Sequence, residues 1–232
     1  MTPELPDGTN VRLHDFTRWI GTWVFHVIFR LRVHGAANIP ATGPVVLVSN
    51  HSAFIDGPLL YGLAGRRCVF LVKHEVYRGP LGWFLRAIGQ VPVRRGEPDR
   101  TPLLTSVRVL RAGGLVGVFP EGTRGDGEVA SARQGAAWLA RSADAVVLPV
   151  ACRGTRRPGG RRRFRPRVDV LIGPPVAVPS GRGRAALGVA TERIRGELTS
   201  LVARLDEIRS GGPVTPSAPD ETGADGQRRH GE

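Results

Sequence analysis

The chemistry in this sequence is concentrated in short polar stretches that follow apolar runs. "SNHSAFIDGP", residues 49–58, comes directly after "VVLV", residues 45–48. It carries His51 and, five positions later, Asp56. On a helix, residues five apart are separated by roughly 140° and do not face each other. The two meet only across a strand-to-helix turn. Asn50 and Ser52 supply turn and N-cap chemistry, and Gly57-Pro58 predicts a further break. A carboxylate accepting from one ring nitrogen fixes the histidine tautomer and leaves the other nitrogen to take a proton. The same residues also describe a turn histidine beside a capping aspartate, so the stretch alone leaves both readings open. Ser52 is not a nucleophile of the nucleophile-elbow kind, because the chain contains no G-x-S-x-G sequence.

Two further stretches end apolar runs in the same way. "VFPEGTRGDG", residues 118–127, places Glu121, Gly122, Thr123 and Arg124 in a glycine-rich turn. It reads either as a solvated ion pair or as a cradle for phosphate or hydroxyl. In the second case Gly122 admits close backbone approach and Arg124 offers a bidentate fork. "GQVPVRRG", residues 89–96, ends in Arg94 and Arg95, a solvated face or an anion clamp. Cys68 and Cys152 are too few for a four-ligand zinc site, and the six histidines show no ligand spacing, so no metal is expected.

The elements that would carry these stretches alternate. Strand-length apolar runs occur at residues 45–48, 68–72, 91–93, 115–119, 146–150 and 168–172. Helical patterns lie between several of them, one with Leu103, Leu104, Val107 and Leu110 on a single face. The pattern predicts an α/β fold with a mixed, largely parallel sheet flanked by helices, in which chemistry sits just past strand C-termini. Residues 14–32 read as an amphipathic helix, with Phe16, Trp19, Ile20, Trp23, Val24, Val27, Ile28 and Leu31 at helical spacing and arginines at its flanks. It is too short to span a bilayer, and either packs on the core or lies in a membrane interface. A last amphipathic helix is expected over 188–208, with Ile194, Leu198, Leu201, Val202, Leu205 and Ile208 sharing a face. The expected organisation is a leader and helix over 1–32, a catalytic domain over 33–209 and a disordered tail over 210–232.

Taken together and in order, the polar stretches resemble the conserved blocks of the glycerolipid acyltransferase family, in particular the 1-acylglycerol-3-phosphate acyltransferases. "NHSAFID" is similar to the N-H-x-x-x-x-D block, "GQVPVRR" to G-x-I-P-V-x-R, "FPEGTR" to the third block and "VLPVACRG", 147–154, to the V-P-V block. The resemblance runs over about residues 33–180. It implies a glycerol-3-phosphate acyltransferase-like fold and acyl transfer from a thioester to a lysophospholipid hydroxyl. It makes His51 the general base and Asp56 the group that orients it. Asn50, Ser52, Arg94, Arg95, Glu121, Gly122, Thr123 and Arg124 become acceptor-site residues, and turn amides near Ser52 become oxyanion donors. It implies no cofactor beyond acyl-CoA or acyl carrier protein as the donor substrate.

The bulk composition agrees with that expectation. A net charge of +13, mostly arginine, suits anionic partners: a phosphorylated acceptor, an anionic thioester donor and an anionic membrane surface. Eight arginines between Arg153 and Arg167 make a dense basic loop. That loop is also the feature on which a nucleic-acid-binding protein would be built, but no nucleic-acid-binding signature accompanies it, so no nucleic acid is expected. The absence of a transmembrane run or a signal peptide predicts a peripheral or monotopic protein on the cytoplasmic face of the cell membrane.

Overall fold

The computed structural model describes residues 4–94, 100–120, 134–156, 164–179, 181 and 183–211. Seven strands form: β1 (Arg30–His34), β2 (Val45–Ser49), β3 (Cys68–Lys73), β4 (Val91–Val93), β5 (Leu115–Val118), β6 (Val146–Arg153) and β7 (Arg167–Ile172). The helices are α1 (Val11–Ile28), α2 (Asp56–Leu63), α3 (Gly79–Ala87), α4 (Thr101–Arg111), α5 (Gly135–Ser142) and α6 (Gly183–Arg209). The sheet order is β1-β7-β6-β2-β5-β3-β4. Every neighbouring pair is parallel except β6 with β7.

Burial follows from the strand period of two. Val45 and Leu47 enter a core with Leu59, Leu60, Phe70 and Leu148, to which α1 contributes Phe25. Val46 and Val48 point the other way, into a core with Leu110, Leu139 and Ile194 from α4, α5 and α6. Both faces of the sheet are therefore covered, which is why β2 reads as an unbroken apolar run. The expected face of α6 is buried throughout. On α4 the expected face is not: Leu104 is exposed, while Ser106 and Val109 are buried with Val107 and Leu110.

The N-terminal helix differs from its expectation at both ends. It starts at Val11, where the Asn10 side chain accepts from the Leu13 amide at 3.0 Å. It stops at Ile28, and Arg30–His34 forms β1 on the outer edge of β7. Leu31 and Val33 pack on the core while Arg30 is exposed. Leu31 fits the helical spacing and the strand alternation equally, so periodicity alone does not find the break. The expected boundary at residue 32 consequently falls inside a strand of the sheet. Helix α1 crosses α2 closely at Gly21 and Gly62, where a Cβ on Gly62 would stand 3.0 Å from the Gly21 carbonyl carbon. Its outer face leaves Phe16, Trp19, Trp23 and Val27 more than half exposed. Among the described residues, no helix is long and apolar enough to cross a membrane.

Candidate active site

Strands β2, β5, β3 and β4 are mutually parallel, as are β2 and β6, so their C-terminal ends open on one edge of the sheet. His51 emerges there two residues after β2 ends. The turn is fastened from behind by Asn50. Its side-chain amide donates to the Cys152 carbonyl at 2.9 Å and its carbonyl accepts from the Cys152 amide at 2.8 Å. Asn50 is fully buried. Its side chain joins the His51 turn to β6.

The chain then turns into α2, whose first residue is Asp56. The expected break at Gly57-Pro58 does not occur. Pro58 lies in the first turn of α2, where helix amides have no intrahelical partner and proline is tolerated. The turn brings Asp56 Oδ2 to 3.1 Å from His51 Nδ1. The same oxygen accepts from the Ser52 amide at 2.7 Å and the Ala53 amide at 2.8 Å. Asp56 is fully buried, and burial alone would push its carboxyl up. Hydrogen bonds from His51, the Ala53 amide and the Ser52 amide outweigh burial and hold it below the ordinary carboxylate range. An ionised Asp56 requires the proton of neutral His51 on Nδ1, leaving the Nε2 lone pair as the base. The His51 side chain retains 14% of its exposure, so the ring is held without being sealed.

Ser52 and Ala53 direct their amides at Asp56, which corrects the expectation that turn amides near Ser52 form an oxyanion hole. The Ser52 hydroxyl lies 3.1 Å from the Thr155 hydroxyl. Arg94 leaves β4 on the expected edge, with Nη2 3.5 Å from His74 Nε2. Its strand is three places from β2, a lateral separation of roughly 14 Å. Arg95, Glu121, Gly122, Thr123 and Arg124 lie outside the described residues, as does much of the arginine loop.

Three residues of this site carried no signal as site residues in the sequence. Phe119 stacks on the His51 ring with centroids 4.1 Å apart and planes at 21°. In the sequence it was one more apolar residue of a strand run. Cys152 directs its thiol at Asp56 Oδ1, 3.9 Å away, and Thr155 meets the Ser52 hydroxyl at 3.1 Å. Cys152 lies inside the V-P-V block and Thr155 directly follows it, but the block gives no hint that it ends behind Asp56. Among the described residues, no cluster of His, Cys, Asp and Glu suits a metal ion.

A base oriented by a buried carboxylate at the C-terminal edge of a parallel sheet can activate a hydroxyl for attack on a carbonyl. The family model for acyltransferases matches residues 30–153, more than half of the chain. The chain belongs to the acyltransferase family. That match includes His51, Asp56, Phe119 and Cys152 and ends two residues before Thr155. The 1-acyl-sn-glycerol-3-phosphate acyltransferase of Bacillus subtilis is 28% identical over 187 residues, covering 77% of this acyltransferase and 91% of the relative. A chloroplastic 1-acyl-sn-glycerol-3-phosphate acyltransferase of Arabidopsis thaliana is 33% identical over 132 residues, covering 55% of this chain and 37% of its own. The crystal structure of the 1-acyl-sn-glycerophosphate acyltransferase from Thermotoga maritima superposes with a TM-score of 0.68 at 28% identity. It covers 83% of this acyltransferase and 79% of that chain. The largely parallel sheet flanked by helices is thus the fold of this family.

Proposed function

We propose that this acyltransferase moves a fatty acyl group from a thioester donor, acyl-CoA or acyl carrier protein, to the free hydroxyl of 1-acylglycerol 3-phosphate, giving phosphatidate. The observation that carries this reading is the fully buried Asp56 bonded to His51 Nδ1, in a chain whose relatives bear that acceptor in their names. His51 Nε2 takes the hydroxyl proton as the acceptor oxygen attacks the thioester carbonyl. The tetrahedral intermediate collapses with cleavage of the C–S bond. The proton on His51 passes to the departing thiolate, and the free base is restored. Asp56 stays ionised throughout and stabilises the imidazolium. The acceptor phosphate is assigned to Arg94 or Arg95 and to Arg124, with Glu121, Gly122 and Thr123 lining the hydroxyl side.

The substrates are amphiphiles, and α1 supplies a matching surface. Phe16, Trp19, Trp23 and Val27 form an aromatic and aliphatic strip with Arg18 beside it. Phe164 is 92% exposed, and the next residue, Arg165, donates to the His26 carbonyl of α1 at 2.9 Å. Such a face suits peripheral attachment to an anionic bilayer.

The test is acyl transfer from oleoyl-CoA and from acyl carrier protein to lysophosphatidate, with wild type and His51→Ala compared in vesicles. Phosphatidate formed by the wild type and reduced at least about a hundredfold in the variant is the expected result. No product from either donor would remove lysophosphatidate as the acceptor and direct the assay to other lysophospholipids and lyso-amino-lipids. Full activity in His51→Ala would remove the base.

A further inference from the structure

We infer that a cleft beside β4 holds the nucleotide end of an acyl-CoA donor, with Trp83 as the platform for its adenine. The inference rests on acyl transfer from a thioester at His51. Strand β4 pairs with β3 and is the outermost strand on its side of the sheet. Phe84 and Leu85 of α3 pack into the core on one face, and Leu103 and Val107 of α4 into the core on the other. Between the two helices the outer side of β4 is left as a cleft of about 620 Å³. That is within the range of small-molecule sites. Residues 6–10 line it as well, tied to α3 by the Asn10 amide, which donates to the Ala87 carbonyl at 2.8 Å.

The lining is mixed in chemistry. Trp83, Arg86 and Ala87 share one side of α3 at helical spacing and border the cleft. The Trp83 indole is 68% exposed, so it adds little to the core. Arg86 lies over the Tyr77 ring, 5.3 Å from its centroid, and forms no ion pair among the described residues. Thr101 and Thr105 of α4 add hydroxyls. Asp7 adds a carboxylate, opposed by Arg108 at 3.6 Å. An open aromatic face beside a guanidinium and hydroxyls suits a phosphorylated purine nucleoside.

Reach decides which substrate extends there. The acceptor carries its phosphate on the carbon next to the reacting hydroxyl, so that phosphate cannot pass β4 while the hydroxyl is at His51. The acceptor's tail is apolar and does not match Asp7, Thr101 and Thr105. The donor does reach. Strand β4 is three places from β2, roughly 14 Å. The pantetheine arm between thioester and diphosphate is as long as about four extended residues, roughly 15 Å. A thioester at His51 therefore lays its arm across the ends of β5 and β3 and leaves the nucleotide at β4. A peptide is the poorer match, because Pro92, which lines the cleft, has no N–H to offer an added strand.

The experiment titrates the full chain with CoA by calorimetry. It also measures kcat and KM with oleoyl-CoA and with oleoyl-pantetheine, which lacks the nucleotide. Wild type, Trp83→Ala and Arg86→Gln are compared. Trp83→Ala is expected to weaken CoA binding about tenfold, the loss of one stacked base. Arg86→Gln is expected to weaken it about threefold to fivefold, as for an exposed ion pair. The KM for oleoyl-CoA should rise by the same factors, with kcat and the KM for oleoyl-pantetheine within about twofold. A wild type that binds no CoA would overturn the inference and leave acyl carrier protein as the donor. A Trp83→Ala protein that binds CoA like the wild type would overturn it too. So would an equal rise in KM for both thioesters, which would assign the indole to the fold or to the bilayer. The CoA titration needs neither acceptor nor turnover. A wild type that makes no phosphatidate would sink the acceptor assignment, while the titration would still decide what the cleft holds.

Discussion

Phe119 lies flat against His51, with ring centroids 4.1 Å apart, and is itself backed by Phe70 at 6.0 Å. Gly117 sits behind Phe70, where a Cβ would overlap the Phe70 ring. Packing thus runs from a glycine in β5 to the proposed base, His51, and a packed interior transmits such displacements. Phe119→Ala is expected to lower kcat about tenfold by leaving one face of the imidazole unsupported. Gly117→Ala is expected to do the same from a greater distance, by displacing Phe70. Both should leave the KM for the acceptor within about twofold. Steady-state kinetics at fixed donor concentration decides it. An unchanged kcat in Gly117→Ala would show that Phe70 moves without carrying Phe119 along.

Asp56→Asn isolates charge from shape. The three donors on Oδ2 require the amide oxygen there, which turns the new NH2 towards the Cys152 thiol, a weak acceptor at best. Turnover should fall about 10²- to 10³-fold. The variant also has a pH signature in stability. The Asp56 carboxyl is held below its ordinary value, so its contribution is full above the unfolded-state pKa of about 3.9 and lost as pH falls through the lower folded value. Urea midpoints of wild type and Asp56→Asn should differ most near pH 7 and converge below about pH 4. A gap that stays constant with pH would mean that the carboxylate charge contributes nothing to the fold.

The sequence allowed His51 and Asp56 to be read as a pair because only a turn reconciles their spacing, and the strand runs on either side supplied the sheet edge. The bond from Asn50 to β6 was hidden for a physical reason. An asparagine next to His51 has the same composition whether it faces substrate or the neighbouring strand, and only the β2–β6 register puts it against Cys152. Long-range pairing also hid β1, whose partner lies more than 130 residues away in β7. Phe119 and the Thr155–Ser52 contact were hidden likewise, since each meets its partner across the sheet and not along the chain.

That reading of Asn50 makes a separate prediction. Its two hydrogen bonds satisfy the amide and carbonyl of Cys152 inside the core. Asn50→Ala leaves both unpaired, at about 1–3 kcal/mol for each buried group. Urea denaturation should show a loss of about 2–6 kcal/mol with the m-value retained. Kinetic damage should scale with the unfolded fraction. A stable Asn50→Ala protein with a raised acceptor KM would return the residue to the substrate site.

The exposed face of α1 gives the last prediction. Trp19 and Trp23 are 57% and 62% exposed, one turn apart, on the side of the helix away from α2. Their indoles contribute little to the core, so replacing both with serine should leave the thermal midpoint nearly unchanged. In a bilayer interface the same two rings are anchoring groups. The double substitution should weaken partitioning onto vesicles containing anionic lipid by about tenfold or more. Raising salt should weaken the wild type further, because arginines flank the strip and their attraction to headgroups is screened. Activity on lysophosphatidate in vesicles should fall with the partitioning, while activity on monomeric short-chain acceptor should not. Cosedimentation with vesicles and the paired assays separate the two contributions. If the double variant bound vesicles like the wild type, the apolar strip on α1 would need a protein partner, and attachment would have to rest on the arginines alone.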